Sequence, residues 1–321
     1  MNILACADHN FVMPCGVMMY SLCHSNPNVN VHFYMIIDET FTESDKRDIE
    51  DTIKSVNVGN KATFILITDQ MLDEVSWYHN SYYPKQVFYR LFAASLLPKE
   101  IDKILYLDGD IVVRKPLQQL WDTDLTDISV GAVPDALSGI VGIYNRVQYP
   151  MSLGYFNSGV LLINLKYWRE NNVERDFSLF MKEHADIITL PDQDTLNYTL
   201  RLSKMRLPIK YNLQPSFLYK NRYMKFCIYE YKEELDEART NPVVMHYAGA
   251  GNRPWEQDCI HPFKEEFFRY QQQTKWRDAP LRKSPFSLKH KALNTMRRML
   301  APLHLAHYES DYYNRSIILS K

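Results

Sequence analysis

The sequence predicts an α/β fold with a mostly parallel sheet covered by helices, and three features predict it. Short apolar runs of strand length alternate with segments of helical period from the first residue to about residue 68. The apolar run in ILYLDGDIVV (104–113) ends in two acids, Asp108 and Asp110, at the kind of strand terminus where open α/β sheets bind ligands. With 321 residues, 46% hydrophobic and 23% charged, the chain can bury one large core.

MNILACA reads as a strand that runs into polar ADHN, and FVMPCGVMMYSLCHSN as a helix following Pro14. VNVHFYMIID (29–38) is a second strand. TESDKRDIEDTIKS (42–55) opens with a Thr-x-x-Asp capping pattern and predicts a charged helix, before a third strand KATFILIT (61–68). QVFYRLFAASLLP (86–98) has helical periodicity and stops at Pro98. After ILYLD, the chain offers a strand ISVGAVPD (128–135) and a strand passing into a helix, FNSGVLLINLKYWRE (156–170). A helix DQDTLNYTLR (192–201) and a late strand with its loop, NPVVMHYAG (241–249), follow. There is no internal repeat and no low-complexity tract.

Bulk properties exclude some functions. A net charge of −1 speaks against a whole-chain polyanion binder, so no nucleic-acid partner is expected. No run of about 18 apolar residues exists, and MNILACAD lacks the basic region and length of a signal peptide. Five cysteines without C-x-x-C spacing (Cys6, Cys15, Cys23, Cys227, Cys259) argue for buried free thiols in a reducing cytoplasm. Composition shifts near residue 278, so the expected division is a main domain over 1–278 and an extension over 279–321. From Ala279 to Tyr308 no Asp or Glu occurs, while Arg282, Lys283, Lys289, Lys291, Arg297 and Arg298 alternate with apolar residues. That pattern predicts a basic amphipathic helix suited to an anionic membrane surface, and hence a peripheral protein on the inner face of the cell membrane.

On an extended backbone residues i and i+2 share a face about 7 Å apart, so Asp108 and Asp110 can converge on one ion, with Gly109 leaving room for a ligand. Two carboxylates suit a hard divalent cation such as Mg²⁺ or Mn²⁺. By itself D-x-D is weak.

The segments ILYLDGDIVVRKPLQQLWDTDL, FNSGVLLINLKYWRE, LPDQDTLN and HYAGAGNRPW, in this order, resemble the motifs of family 8 glycosyltransferases. The pattern is most similar to the bacterial lipopolysaccharide α-galactosyl- and α-glucosyltransferases and extends to about residue 260. The resemblance implies a GT-A fold, a UDP-sugar donor (UDP-galactose or UDP-glucose), Mn²⁺ dependence and transfer with retention at the anomeric carbon. It implies that Ala7, Asp8, Asn10 and Phe11 hold the uridine, and that Asp108 and Asp110 bind the metal with His246 of HYAG as third ligand. The imidazole favours Mn²⁺ over Mg²⁺, which stays the alternative. Gly109 and Gly249 would give the diphosphate close approach. Arg253 would bind it in place of the family lysine, in a loop one residue longer than the family pattern. Arg90, Asp135, Asn157, Asp192 and Gln193 match positions lining the hexose, and Asp194 would brace the following helix. His9 has no role in the pattern and is expected to be solvated, and Trp255 to be a packing anchor.

Two routes give retention. Double displacement needs a carboxylate nucleophile, which Asp192 or Asp194 would supply. Same-face attack suits the amide Gln193 at that place and is the expected route. The acceptor implied is a lipid-linked or other glycan, such as lipopolysaccharide. Two rivals are a glycoside hydrolase using Asp110 with Asp135 or Asp192, and a non-catalytic sugar-nucleotide-binding protein on the same fold. The first leaves ADHNF without a purpose; the second expects damage among Asp108, Asp110, Gln193 and His246, all of which are present.

Overall fold

The computed structural model describes residues 1–68, 84–136, 138–218, 231–283 and 296. Its strands are β1 (Asn2–Ala7), β2 (His32–Ile37), β3 (Lys61–Leu66), β4 (Lys103–Leu107), β5 (Ile111–Val113), β6 (Val130–Pro134), β7 (Phe156–Asn164), β8 (Lys204–Arg206) and β9 (Val244–His246). The main sheet has the order β3-β2-β1-β4-β7-β6-β8. It is mostly parallel, as expected; β7 alone runs against both its neighbours, β4 and β6. Reversal of β7 brings its first residues, Phe156 to Gly159, to the same edge as the carboxyl ends of β1, β4 and β6.

Both faces of the sheet are covered, so its central strands are continuous apolar runs rather than alternating ones. In β1, Ile3, Ala5 and Ala7 join one core cluster, and Leu4 and Cys6 join the other. The first cluster lies under the helix Val12–Ser25, which is buried nearly all round. Helix Glu43–Lys54 begins with the expected capping box, Thr42 and Asp45 satisfying each other's backbone N–H. Helix Pro191–Thr199 starts on a proline, whose missing N–H costs nothing there. Cys6, Cys15, Cys23 and Cys259 are free and buried; Cys227 lies outside the described residues.

Three expectations need correction. Residues 86–98 are helical but not one α-helix: Lys85–Phe92 is 3₁₀, and only Ala93–Leu96 is α, before Leu97 turns extended ahead of Pro98. Tighter winding aligns residues three apart, and Val87 and Arg90 accordingly face the same cavity. Secondly, IVV after the paired acids is the separate strand β5, pairing with β9 in a two-stranded sheet. Thirdly, Asp108 to Asp110 is a turn between β4 and β5, so the two acids converge through the turn and not through strand alternation. The short edge strand β8 carried no periodic signal and was not expected. Most of the basic 279–321 segment lies outside the described residues. Its described start is held to the body, Arg282 donating through Nη2 to the Asn10 carbonyl at 2.5 Å. Among the described residues no helix is long and apolar enough to cross a membrane.

Candidate active site

Strand ends build the site. Asp8 follows β1 and caps the short turn His9–Phe11, accepting from the Phe11 N–H at 3.0 Å. Asp8, Asn10 and Phe11 line a cavity of about 370 Å³ together with Ala7, Arg90, Asp108, Gly109, Asp110 and Arg253. A side chain on Gly109 would strike the Cys15 sulfur at 2.6 Å, so glycine there is dictated by packing against the first helix. His9 is largely exposed, yet it pairs with Asp45 at 2.8 Å instead of facing only solvent. Trp255 is buried edge-on to Phe11, the packing role expected of it.

The small sheet explains how a histidine 136 positions away reaches the paired acids. Ile111 of β5 sits opposite His246 of β9, and Tyr247 N–H donates to the Asp110 carbonyl at 2.8 Å. One ligand atom each from Asp108, Asp110 and His246 lies within 4.8 Å of the others. His246 Nε2 is 3.2 Å from Asp110 Oδ1 and 3.6 Å from Asp108 Oδ2. The room around them is itself specified. A Cβ on Gly159 would sit 2.3 Å from His246 Cε1 and 2.8 Å from Asp108 Oδ2. Two oxygens and an imidazole nitrogen kept clear by a glycine fit a divalent cation of the Mn²⁺ or Mg²⁺ kind.

Burial pushes the Asp110 carboxyl up, but the His246 charge and hydrogen bond, with Arg253, outweigh it and hold it down to about 2. Burial alone would make His246 less basic; the two acids reverse this and raise it. The long loop after His246 turns through Gly249 and Gly251, both at positive φ, where a side chain is strained. It delivers Arg253 Nε to 3.6 Å from Asp110 Oδ2, with the guanidinium 5.5 Å above the Phe11 ring. The extra residue therefore does not carry Arg253 away from the acids. Gly249 itself is not among the cavity's lining residues.

Arg90 joins this end of the site to the other. Buried, it pairs with Asp108 at 2.9 Å and Asp192 at 3.3 Å, and donates to the Ser158 carbonyl at 2.9 Å. Its guanidinium stacks 4.3 Å from the Tyr106 ring, whose hydroxyl donates to Asp108. Burial raises the Asp192 carboxyl, with Arg90 working against it. Beyond lies a set of amides. Asn157 Nδ2 donates to Asp135 Oδ2 at 3.1 Å and to Gln193 Oε1 at 3.2 Å, and Gln193 Nε2 donates to Asp135 Oδ2 at 3.2 Å. Ser158 N–H donates to Gln193 Oε1 at 3.1 Å, which fixes the amide's orientation, because a backbone N–H can only donate.

Asp194 stands apart. It is fully buried and accepts from Arg146 at 2.6 and 2.9 Å, from Tyr155 at 2.6 Å and from two backbone N–H groups. It braces its helix and has no oxygen left for a substrate. Sequence reasoning missed Tyr106, Ser158 and Asn212, which touch site residues: Tyr106 and Ser158 lie within the ILYLDGD and FNSG motifs but read there as strand residues, and Asn212 sits in no motif.

A parallel-centred sheet with this turn of acids at its carboxyl edge defines a GT-A protein. The model of glycosyl transferase family 8 matches residues 2–259, and the chain belongs to that family. It is 29% identical over 283 residues to General stress protein A of Bacillus subtilis, covering 86% of this chain and 94% of that one. To the lipopolysaccharide 1,2-glucosyltransferase of Escherichia coli K12 it is 26% identical, covering 87% and 79%. Among solved structures, the galactosyltransferase LgtC with donor and acceptor sugar analogues superposes with a TM-score of 0.74 at 25% identity, covering 86% of this chain and 96% of that one.

Proposed function

We propose that this protein transfers galactose or glucose, with retention, from a UDP-sugar to a glycan acceptor of the cell envelope such as lipopolysaccharide. The observation that carries this reading is the meeting of Asp108, Asp110 and His246, with both acids lining the same cavity as Ala7, Asp8, Asn10 and Phe11, and with Arg90 pairing Asp108 to Asp192 beside the amides. The names of the E. coli and LgtC relatives support hexosyl transfer.

Asp108, Asp110 and His246 would hold Mn²⁺ (or Mg²⁺), which supplies neutralisation of the diphosphate as UDP leaves. Arg253 adds a second positive group there and can grip two phosphate oxygens at once. Asp8, Asn10 and Phe11 would bind the uracil, and Asp135, Asn157 and Gln193 the hexose hydroxyls. Of the carboxylates near Gln193, Asp194 is saturated, Asp135 accepts two amide hydrogen bonds, and Asp192 is paired with Arg90. That favours same-face attack, in which the departing phosphate takes the acceptor's proton, over a covalent glycosyl intermediate. Detection of a glycosyl adduct on Asp192 would reverse this.

Residues 1–278 are the proposed catalytic domain. The basic 279–321 segment is the proposed contact with an anionic membrane, resting on its lack of acids. The test of the activity is UDP release from UDP-galactose and UDP-glucose with and without Mn²⁺. Release from neither donor, or release indifferent to chelation, contradicts the reading.

A further inference from the structure

We propose that Asn212 is a positioning residue that sets the tautomer of His246 and ties the metal-binding end of the site to its amide end; this rests on the metal reading above. Asn212 is completely buried, one residue past the 3₁₀ turn Ile209–Tyr211, in a stretch (IKYNLQ) that carries no recognisable motif. Its side chain lies between two site residues. Asn212 Oδ1 is 2.9 Å from His246 Nδ1, and Asn212 Nδ2 donates to Asn157 Oδ1 at 2.8 Å.

The direction of each bond follows from one unambiguous donor. Gly159 N–H donates to Asn157 Oδ1 at 3.0 Å, so that atom is the oxygen. Asn212 must therefore turn its NH₂ toward Asn157 and its carbonyl toward His246. A carbonyl only accepts, so His246 carries its proton on Nδ1, and the neutral ring offers the Nε2 lone pair toward Asp108 and Asp110. Metal-ligating histidines need such an outer partner to fix ring orientation and raise basicity.

Backbone pairing keeps this arrangement in register. Leu213 N–H donates to the Val244 carbonyl and His246 N–H to the Leu213 carbonyl, so Asn212 and His246 move as one piece. Through Asn157 the chain of bonds continues to Gln193 and Asp135. A shift of the imidazole is thereby felt at the amides.

The test compares the parent chain with Asn212→Leu, which keeps the branched shape, though bulkier, but neither hydrogen bond, and Asn212→Asp, which keeps only an acceptor. Mn²⁺ binding is titrated calorimetrically in the presence of UDP, alongside UDP binding without metal, thermal melting and turnover. For Asn212→Leu the Mn²⁺ affinity should fall about 10- to 100-fold, the usual effect of losing an outer-shell partner, with metal-free UDP binding unchanged. Asn212→Asp should hold Mn²⁺ within about threefold of the parent yet turn over more slowly, because its donor to Asn157 is gone. A folded Asn212→Leu protein that binds Mn²⁺ like the parent overturns the proposal, as does Asn212→Asp losing metal affinity. If Asn212→Leu does not fold, the Asn212→Asp result decides alone. A parent chain that binds no Mn²⁺ overturns the metal reading itself, a different failure.

Discussion

At one end of the site Asp108, Asp110 and His246 crowd ionisable atoms within 4.8 Å; at the other Asp135, Asn157 and Gln193 exchange hydrogen bonds of 3.1–3.2 Å. The first end is held by charge. Its two acids outweigh burial and raise the basicity of His246, and under the proposed function a cation would join them. The second end is complete in itself, with both lone pairs of Gln193 Oε1 engaged by Asn157 and Ser158. The proposed cation would complete the first end, whereas the second already holds its shape before the proposed hexose reaches it. Changes at the charged end should weaken nucleotide binding together with turnover, whereas changes at the amide end should lower turnover alone.

The largest effect is expected from Asp110→Asn, which removes a charge from the proposed cation site. Turnover should drop about 10³-fold, the upper range for deleting one preorganised electrostatic group, and Mn²⁺-dependent UDP binding should weaken with it. Gln193→Ala strikes the hub of the amides: turnover measured by UDP release should fall about 10²-fold while Mn²⁺–UDP affinity by calorimetry stays put. A Gln193→Ala chain that lost nucleotide affinity to the same degree would erase the distinction between the ends.

Gly159→Ala sharpens it, because Gly159 belongs in sequence to the amide end but faces the metal end. Its new methyl must displace His246 or Asp108, and Mn²⁺ affinity should weaken roughly 30-fold, the scale of disturbing a ligand's setting. Smallest is Arg253→Lys. It keeps the charge and loses the planar fork, so UDP affinity should fall about tenfold, the scale of one charge-assisted hydrogen bond. An unchanged affinity would place Arg253 with Asp110 as a structural partner only.

Much of this was legible in the residues. The βαβαβ start, the Thr42–Asp45 capping box and the strand before Asp108 each follow from local patterns, which short-range physics decides. Asp108, Asp110 and His246 were readable because their motifs are short and ordered. The route by which His246 arrives was not: three-residue strands such as β5 and β8 leave no periodicity, and their pairing is a long-range event. The 3₁₀ winding of Lys85–Phe92 escaped for a related reason, since apolar spacing of three and four suits either helix. Asn212 was invisible because a buried asparagine owes its meaning to the atoms it touches, and those lie 34 and 55 positions away.

Titration of UDP into the parent chain by calorimetry, once with Mn²⁺ and once with chelator, reaches the core of the matter. Binding should be strong with the ion and weak without it, and Asp110→Asn should abolish the difference. Equal UDP affinity under both conditions would mean that the two acids and the imidazole do not grip a cation against the nucleotide.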